Sequence, residues 1–331
     1  MASWITGTIG TNVPPSAFPD NLGAFRFICN ASHLLYDDPI VFPGRPGAAH
    51  LHQFFGNTLA NAYSTYDSLR TTGDGTCDGG PLNRSGYWAP AMMDGKGKVV
   101  VPDYAAIYYK AEPNTVHLPR GLRVVFGFDM AKSPSDPWTV YSPYYWICDK
   151  PNAGDNHYPD IAAVIASGCP AGNTINAVVH TPECWDGRNL DSPNHRSHMA
   201  YKYNPNTDGR YICPTTHPVI LPVFTLRLAY THLGPTDLAS WYLSSDRMPG
   251  MAAKAPGSTF HSDWFGAWDD NVMDIWMANN IDKLLNASAG ELGNGQQLVR
   301  PPSFKWTASP RLVDPPILPA ATASSMGKMQ H

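Results

Sequence analysis

Histidine and aspartate recur together at several places in this chain, and His50-Leu51-His52 is the densest of them. In extended backbone, residues i and i+2 share a face, so His50 and His52 project side by side while Leu51 turns away into a core. Two imidazoles so placed can relay a proton, hold a metal or meet an anionic ligand. Asp38 precedes them in the dipeptide Asp38-Pro39, where proline fixes its own φ and keeps the preceding residue extended. Further along, Asp191 is followed by His195, Arg196 and His198, and His261 stands beside Asp263. A carboxylate next to an imidazole fixes its tautomer and raises its basicity, which suits acid–base work and metal ligation alike.

Three chemistries could use this set. A glycosidase needs two carboxylates across a sugar, one with a raised pKa. Asp263 with Asp67 or Asp191 would serve, with Tyr87, Trp88, Trp185, Trp264 and Trp268 as faces for the sugar. A lyase needs a His or Tyr base and a cation to neutralise a uronate, which His50, His52, Tyr87, Arg70 and Arg196 could supply. A metal enzyme would use His50, His52 and either His198 or His261, with a carboxylate completing the shell. A divalent metal is thus the one cofactor these residues could hold, and none of them demands it. Each part also has a plain structural use: tryptophans fill cores, arginines pair with acids, and Asp-Pro makes turns.

Composition narrows the frame. A chain of 331 residues with 43% hydrophobic and 15% charged residues is an ordered globular protein with a large core. The formal net charge is −4 and the basic residues are scattered, so nucleic acid is not an expected partner. No apolar run reaches the length of a membrane span. The 32 prolines and 28 glycines are too many for a helical protein and imply short strands joined by long ordered loops. Only Glu112, Glu183 and Glu291 are glutamates among 27 acidic residues, so carboxylate chemistry here is expected to be aspartate chemistry.

The six cysteines, Cys29, Cys77, Cys148, Cys169, Cys184 and Cys213, contain no Cys-x-x-Cys pair, which argues against structural zinc. Wide spacing and an even number suit disulfides and an oxidising compartment. The sequential pairing closes the shortest loops among the connectivities allowed. The first residues lack a charged and then apolar leader pattern.

Strands must position the candidate residues. Alternating bulk predicts them at 25–29, 104–111 and 223–230, and 121–128 reads as a buried strand. Ala91-Met92-Met93 and Val99-Val100-Val101 read as a pair around the turn Gly95-Lys96-Gly97. A short helix is expected over 64–70 with Ser64 as its cap. Apolar residues at three and four predict a longer helix over 271–286, capped by Asp269 or Asp270.

Taken in order, the motifs carry a resemblance. They are His50-x-His52 before Gly56, Ser64-Thr-Tyr-Asp67-Ser-Leu-Arg70, Tyr87-Trp88-Ala89-Pro90 and Cys184-Trp185-Asp186-Gly187. Asp191 before Arg196-Ser-His198, His217-Pro-Val-Ile-Leu-Pro222, and Phe260-His261-Ser-Asp263-Trp264-Phe265 with Trp268-Asp269 complete the set. This resembles the domain of unknown function 1996 family of secreted fungal and bacterial proteins, over about residues 25–285. The resemblance implies a secreted chain with all six cysteines in disulfides. It also hints at polysaccharide, because some fungal members carry cell-wall carbohydrate-binding modules. Glu183 and the C-terminal tail depart from the family pattern.

The expectation is a single, mainly β domain over 23–288. It would be an antiparallel sandwich or jelly roll with long disulfide-tied loops and a C-terminal helix. An extended arm over 1–22 and a Pro/Ala-rich tail over 289–331 would flank it. The expected function is that of an extracellular carbohydrate-active enzyme, hydrolytic rather than eliminative, with polysaccharide or cell-wall glycan as partner. The competing expectation is a non-catalytic surface-assembly protein whose terminal arms dock neighbouring copies.

Overall fold

A computed structural model describes residues 4–7, 22–130, 142–150, 156–206, 210–305 and 311–318. Most of the expected N-terminal arm and the end of the tail lie outside these residues.

Two five-stranded antiparallel sheets form the body. The first runs in the order Tyr144–Cys148, Thr174–His180, Val223–Thr231, Tyr104–Ala111, Gly23–Cys29. The strand Tyr104–Ala111 alternates half-buried and buried residues along its whole length, so one face turns inward and the other stays near solvent. The second sheet runs Ala31–Leu35, His52–Gly56, Gly86–Pro90, His261–Phe265, Arg123–Gly127. Its three central strands are buried at every position, so both of its faces are covered.

Rings from both sheets fill the space between them. Phe224 of the first sheet lies 5.5 Å from Tyr87, 5.5 Å from Phe126 and 5.6 Å from Trp264 of the second. The contact with Phe126 is edge-on and the other two are stacked, and both are favoured aromatic geometries at such distances. This is the expected sandwich, with no closed barrel among the described residues. The outer face of the second sheet carries a separate cluster, Ile40, Phe54, Leu69, Trp88, Val125 and Phe265. The candidate histidines lie beside that cluster.

Local elements depart from expectation by small steps with clear causes. The short helix is Tyr66–Thr71, and its cap is Thr65 rather than Ser64. Thr65 Oγ1 accepts from the Ser68 amide while Ser68 Oγ accepts from the Thr65 amide, a reciprocal capping box. The C-terminal helix starts at Asp270 with Asp269 as its cap, but its α turns end at Trp276 and a π turn follows over Met277–Ile281. Asn279 and Asn280 stand in that turn; the Asn279 side-chain amide donates to Ile275 O and competes with the regular ladder, while that of Asn280 donates to Glu291 O outside the helix.

Described parts of both arms pair within the chain. Ile5–Gly7 joins Gln296–Leu298, and Arg311–Val313 joins Val99–Val101.

The disulfides are Cys29–Cys77, Cys148–Cys169 and Cys184–Cys213, the sequential pairing. The third closes a separation of 29 residues that includes Asp191, His195, Arg196 and His198. Replacing both Cys184 and Cys213 with serine is expected to cost about 3–4 kcal/mol of stability from the freed loop entropy. Denaturant unfolding of the double variant against the parent measures it; no loss would mean that the segment is held by its other contacts.

Candidate active site

His50 and His52 do lie side by side, with ring centroids 4.1 Å apart, and Leu51 packs the other way against Ala91 and Val99. A third imidazole joins them from the far end of the chain: His261 Nε2 lies 3.2 Å from His50 Nε2. Sheet register explains the meeting. His52 pairs with Pro90, and Asp263 pairs with Trp88 on that same central strand and with Val125 on the other side. His261, opposite Gly127, shares a face with Asp263 two residues on. Gly127 has φ +90°, and a Cβ there would come within 2.8 Å of His261 Cα, so only glycine lets these strands close around the site.

The three rings are held in one tautomer. His52 Nδ1 bonds the Asp37 carbonyl at 2.9 Å and His261 Nδ1 bonds the Thr259 carbonyl at 2.8 Å. A carbonyl only accepts, so each Nδ1 bears the hydrogen and each Nε2 a lone pair. Ser244 Oγ donates to Leu51 O at 2.6 Å, and so accepts from His50 Nδ1 at 3.0 Å. His50 Nε2 therefore also presents a lone pair. Two lone pairs facing each other at 3.2 Å repel unless something positive lies between them.

Carboxylates complete the group. Asp38 Oδ1 accepts from the amides of Ile40 and Val41 at 2.9 and 2.8 Å, the turn that Pro39 sets up. Asp263 is 1% exposed, and neither of its oxygens has a hydrogen-bond partner among the described residues. Burial pushes its pKa well above the ordinary value and the charge of Asp38 adds to that, while Arg196 opposes both. Ligand atoms of His50, His52 and His261 lie within 4.8 Å of one another, as do those of Asp38, His52 and Asp263. His52 belongs to both triplets.

These groups line a cavity of about 380 Å³, with Phe42, Phe128 and Met130 among its apolar walls and Asn194, His195 and Arg196 among its polar ones. That size suits a small ligand or one substituent of a larger one. A larger hollow of about 670 Å³ opens on the other sheet, lined by Tyr145, His157, His180 and Tyr201 among others. It contains none of the clustered histidines, so the smaller cavity is the candidate site.

Other expected site residues fall elsewhere. His198 is a brace: its Nε2 bonds Arg123 O at 2.7 Å and its Nδ1 bonds Ser192 Oγ at 3.0 Å. Asp191 binds His195 and does not line the cavity. Asp67 is exposed on the short helix, and Arg70 pairs with Asp270 at the start of the C-terminal helix. The aromatic expectation is corrected more fully. Tyr87, Trp88, Trp264 and Trp268 are at most 2% exposed and pack as core, so none offers a face to a sugar. Trp185 is half-buried, with its indole N–H bonded to Asn189 O. Arg196 does line the cavity, donating to Phe128 O at 3.0 Å. His195, outside the main expected set, lines it too; its signal was Asp191 at a spacing of four.

A family model described as "Domain of unknown function (DUF1996)" matches residues 38–268, well over half of the sequence. The chain belongs to this family. No curated protein and no solved structure matches it. The matched span of this DUF1996 chain holds Asp38, His50 just before the strand His52–Gly56, His52 at its start, His261 and Asp263. Among the described residues no helix is long and apolar enough to cross a membrane, and the disulfides fit an oxidising compartment.

Proposed function

We propose that this chain is an extracellular metal-dependent hydrolase that removes an acyl substituent from a polysaccharide or cell-wall glycan. One observation carries the metal: three imidazoles, each tied through Nδ1 to an oxygen, aim Nε2 lone pairs at one another. The 3.2 Å between His50 and His261 is close to the edge of about 3.3 Å that a tetrahedral ion with bonds of about 2.0–2.1 Å imposes. Three protein ligands leave a position for water, and a cation lowers the pKa of that water to near neutrality. Backbone carbonyls behind His52 and His261 orient the rings and raise their basicity.

The choice of an acyl group follows from the chemistry a cation would supply and from the burial of Asp263. A cation held by His50, His52 and His261 would supply an acidified water and polarise a carbonyl oxygen, and an acetal carbon carries no carbonyl oxygen for it to polarise. Glycoside cleavage instead needs two carboxylates reaching across a sugar, and Asp263 is too deeply buried to reach over a polymer. The glycan enters as the carrier of the acyl group, in keeping with an oxidising, extracellular setting.

Acetylated xylan and chitin oligosaccharides, incubated with protein loaded with Zn²⁺, Mn²⁺, Co²⁺ or Cu²⁺, test the reading. Release of acetate that EDTA abolishes is the expected result. Release of reducing ends without acetate, turnover indifferent to chelator, or no turnover at all would overturn it.

A further inference from the structure

The wall of the same cavity carries a second constellation that the cluster of five does not use. His195 lines the cavity, and its Nδ1 lies 3.0 and 3.2 Å from the two oxygens of Asp191. A carboxylate at Nδ1 fixes that nitrogen as the N–H bearer and leaves Nε2 with the lone pair, as the chemistry of a general base requires. Burial raises the Asp191 pKa, but the hydrogen bond and charge of His195, the Ser192 amide and Arg123 together hold it below the ordinary value. The carboxylate is therefore ionised where it is needed.

The surrounding loop is built to hold this ring in place. His195 has φ +57°, a left-handed conformation that costs a non-glycine residue energy and persists only where its surroundings enforce it. The Asn194 side-chain oxygen accepts from the amides of Arg196 and Ser197 and from Ser192 Oγ. The amide of His195 donates to Ser192 O at 2.7 Å. His198 ties the same loop to Ser192 and to Arg123 O, and Arg123 lies 3.6 Å from Asp191. The loop from Asp191 to His198 thus fixes one imidazole at the cavity wall.

We propose that His195 is the proton-transfer residue of this cavity and that Asp191 is its positioning residue. The proposal rests on the hydrolase reading above. As water oxygen bonds to the substrate carbonyl carbon, a water proton passes to His195 Nε2. The imidazolium then gives that proton to the departing oxygen or nitrogen as its bond to carbon breaks. Water adds across the bond, and no oxidant or further reactant is needed.

The test uses the full chain loaded with Zn²⁺, with 4-nitrophenyl acetate as probe and calorimetric Zn²⁺ titration alongside. His195→Gln and His195→Ala are expected to lower kcat/KM about 10²–10⁴-fold while Zn²⁺ affinity stays within a few-fold of the parent. Asp191→Asn is expected to fall part of the way in kcat and to move the pH profile, and Asp191→Glu to recover some of the loss. Parent-like rates in the His195 variants, or a Zn²⁺-bound parent that does not turn the ester over, would overturn the assignment. Failure to bind Zn²⁺ at all would sink the hydrolase reading instead. In that case the dyad is still judged by diethyl pyrocarbonate labelling. His195 should be carbethoxylated readily and several-fold more slowly in Asp191→Asn; equal rates would overturn the positioning.

Discussion

Asp263→Asn is expected to make the cation-free protein more stable and to weaken cation binding about 10–100-fold. The two effects have one origin. Asp263 is sealed from solvent beside Asp38, with no hydrogen bond to either oxygen among the described residues. Its raised folded-state pKa means that the unfolded chain releases this proton more readily. The sign follows: its contribution is at its most favourable below about pH 4, near the ordinary aspartate value, and is lost as pH rises toward the folded-state value. Asparagine carries no such dependence. The gap in unfolding free energy between variant and parent should therefore widen from pH 4 to pH 8, reaching about 1–3 kcal/mol in the variant's favour, as denaturant unfolding at each pH would measure. A variant less stable at every pH would mean that the carboxylate holds the fold together. Stability forgone at one position in exchange for a ligand site is a recurrent feature of functional cavities.

Some of this site could be read directly from the residues. His50-Leu51-His52 works by a period of two, and the burial of Leu51 against Ala91 and Val99 is the other half of the same pattern. Strands such as Tyr104–Ala111 were legible for the same reason, since alternation is a property of the segment itself. What joined His261 and Asp263 to the first pair was not local. It depends on Gly86–Pro90 being the strand between them, and nothing within either motif encodes that neighbour. His198 and His195 show the limit more sharply. Both follow Asp191 and both have an oxygen partner, yet His195, in left-handed backbone, lines the cavity while His198 bonds Arg123 O. The tryptophans misled for an energetic reason: a sandwich between two sheets gains more from burying such rings than a surface loses by lacking them. Trp88 and Trp264 are neighbours in strand register with the site, yet they serve its scaffold.

Adding a transition-metal ion is expected to raise the melting temperature of the parent chain, and the pattern across variants should identify the ligands. At a free concentration near 100 Kd, linkage gives about 2.7 kcal/mol, or a shift of several degrees for a chain of this size. Imidazole-rich sites favour Zn²⁺, Co²⁺, Ni²⁺ and Cu²⁺, whereas Ca²⁺ and Mg²⁺ seek oxygen cages, so the shift should be large for the first group and small for the second. His52 belongs to both ligand triplets, so His52→Ala should lose the shift altogether, and His261→Ala most of it. His52 is 1% exposed and bonded to Asp37 O, so its replacement also lowers the baseline; the comparison is each variant with and without ion. His198→Ala is the internal control. Its two hydrogen bonds brace the loop around Ser192, so it should melt earlier and still respond to Zn²⁺ by the full amount. Were His198→Ala to lose the response while His52→Ala kept it, the ion would have to bind elsewhere, and the three facing lone pairs would need a proton, not a metal, to reconcile them.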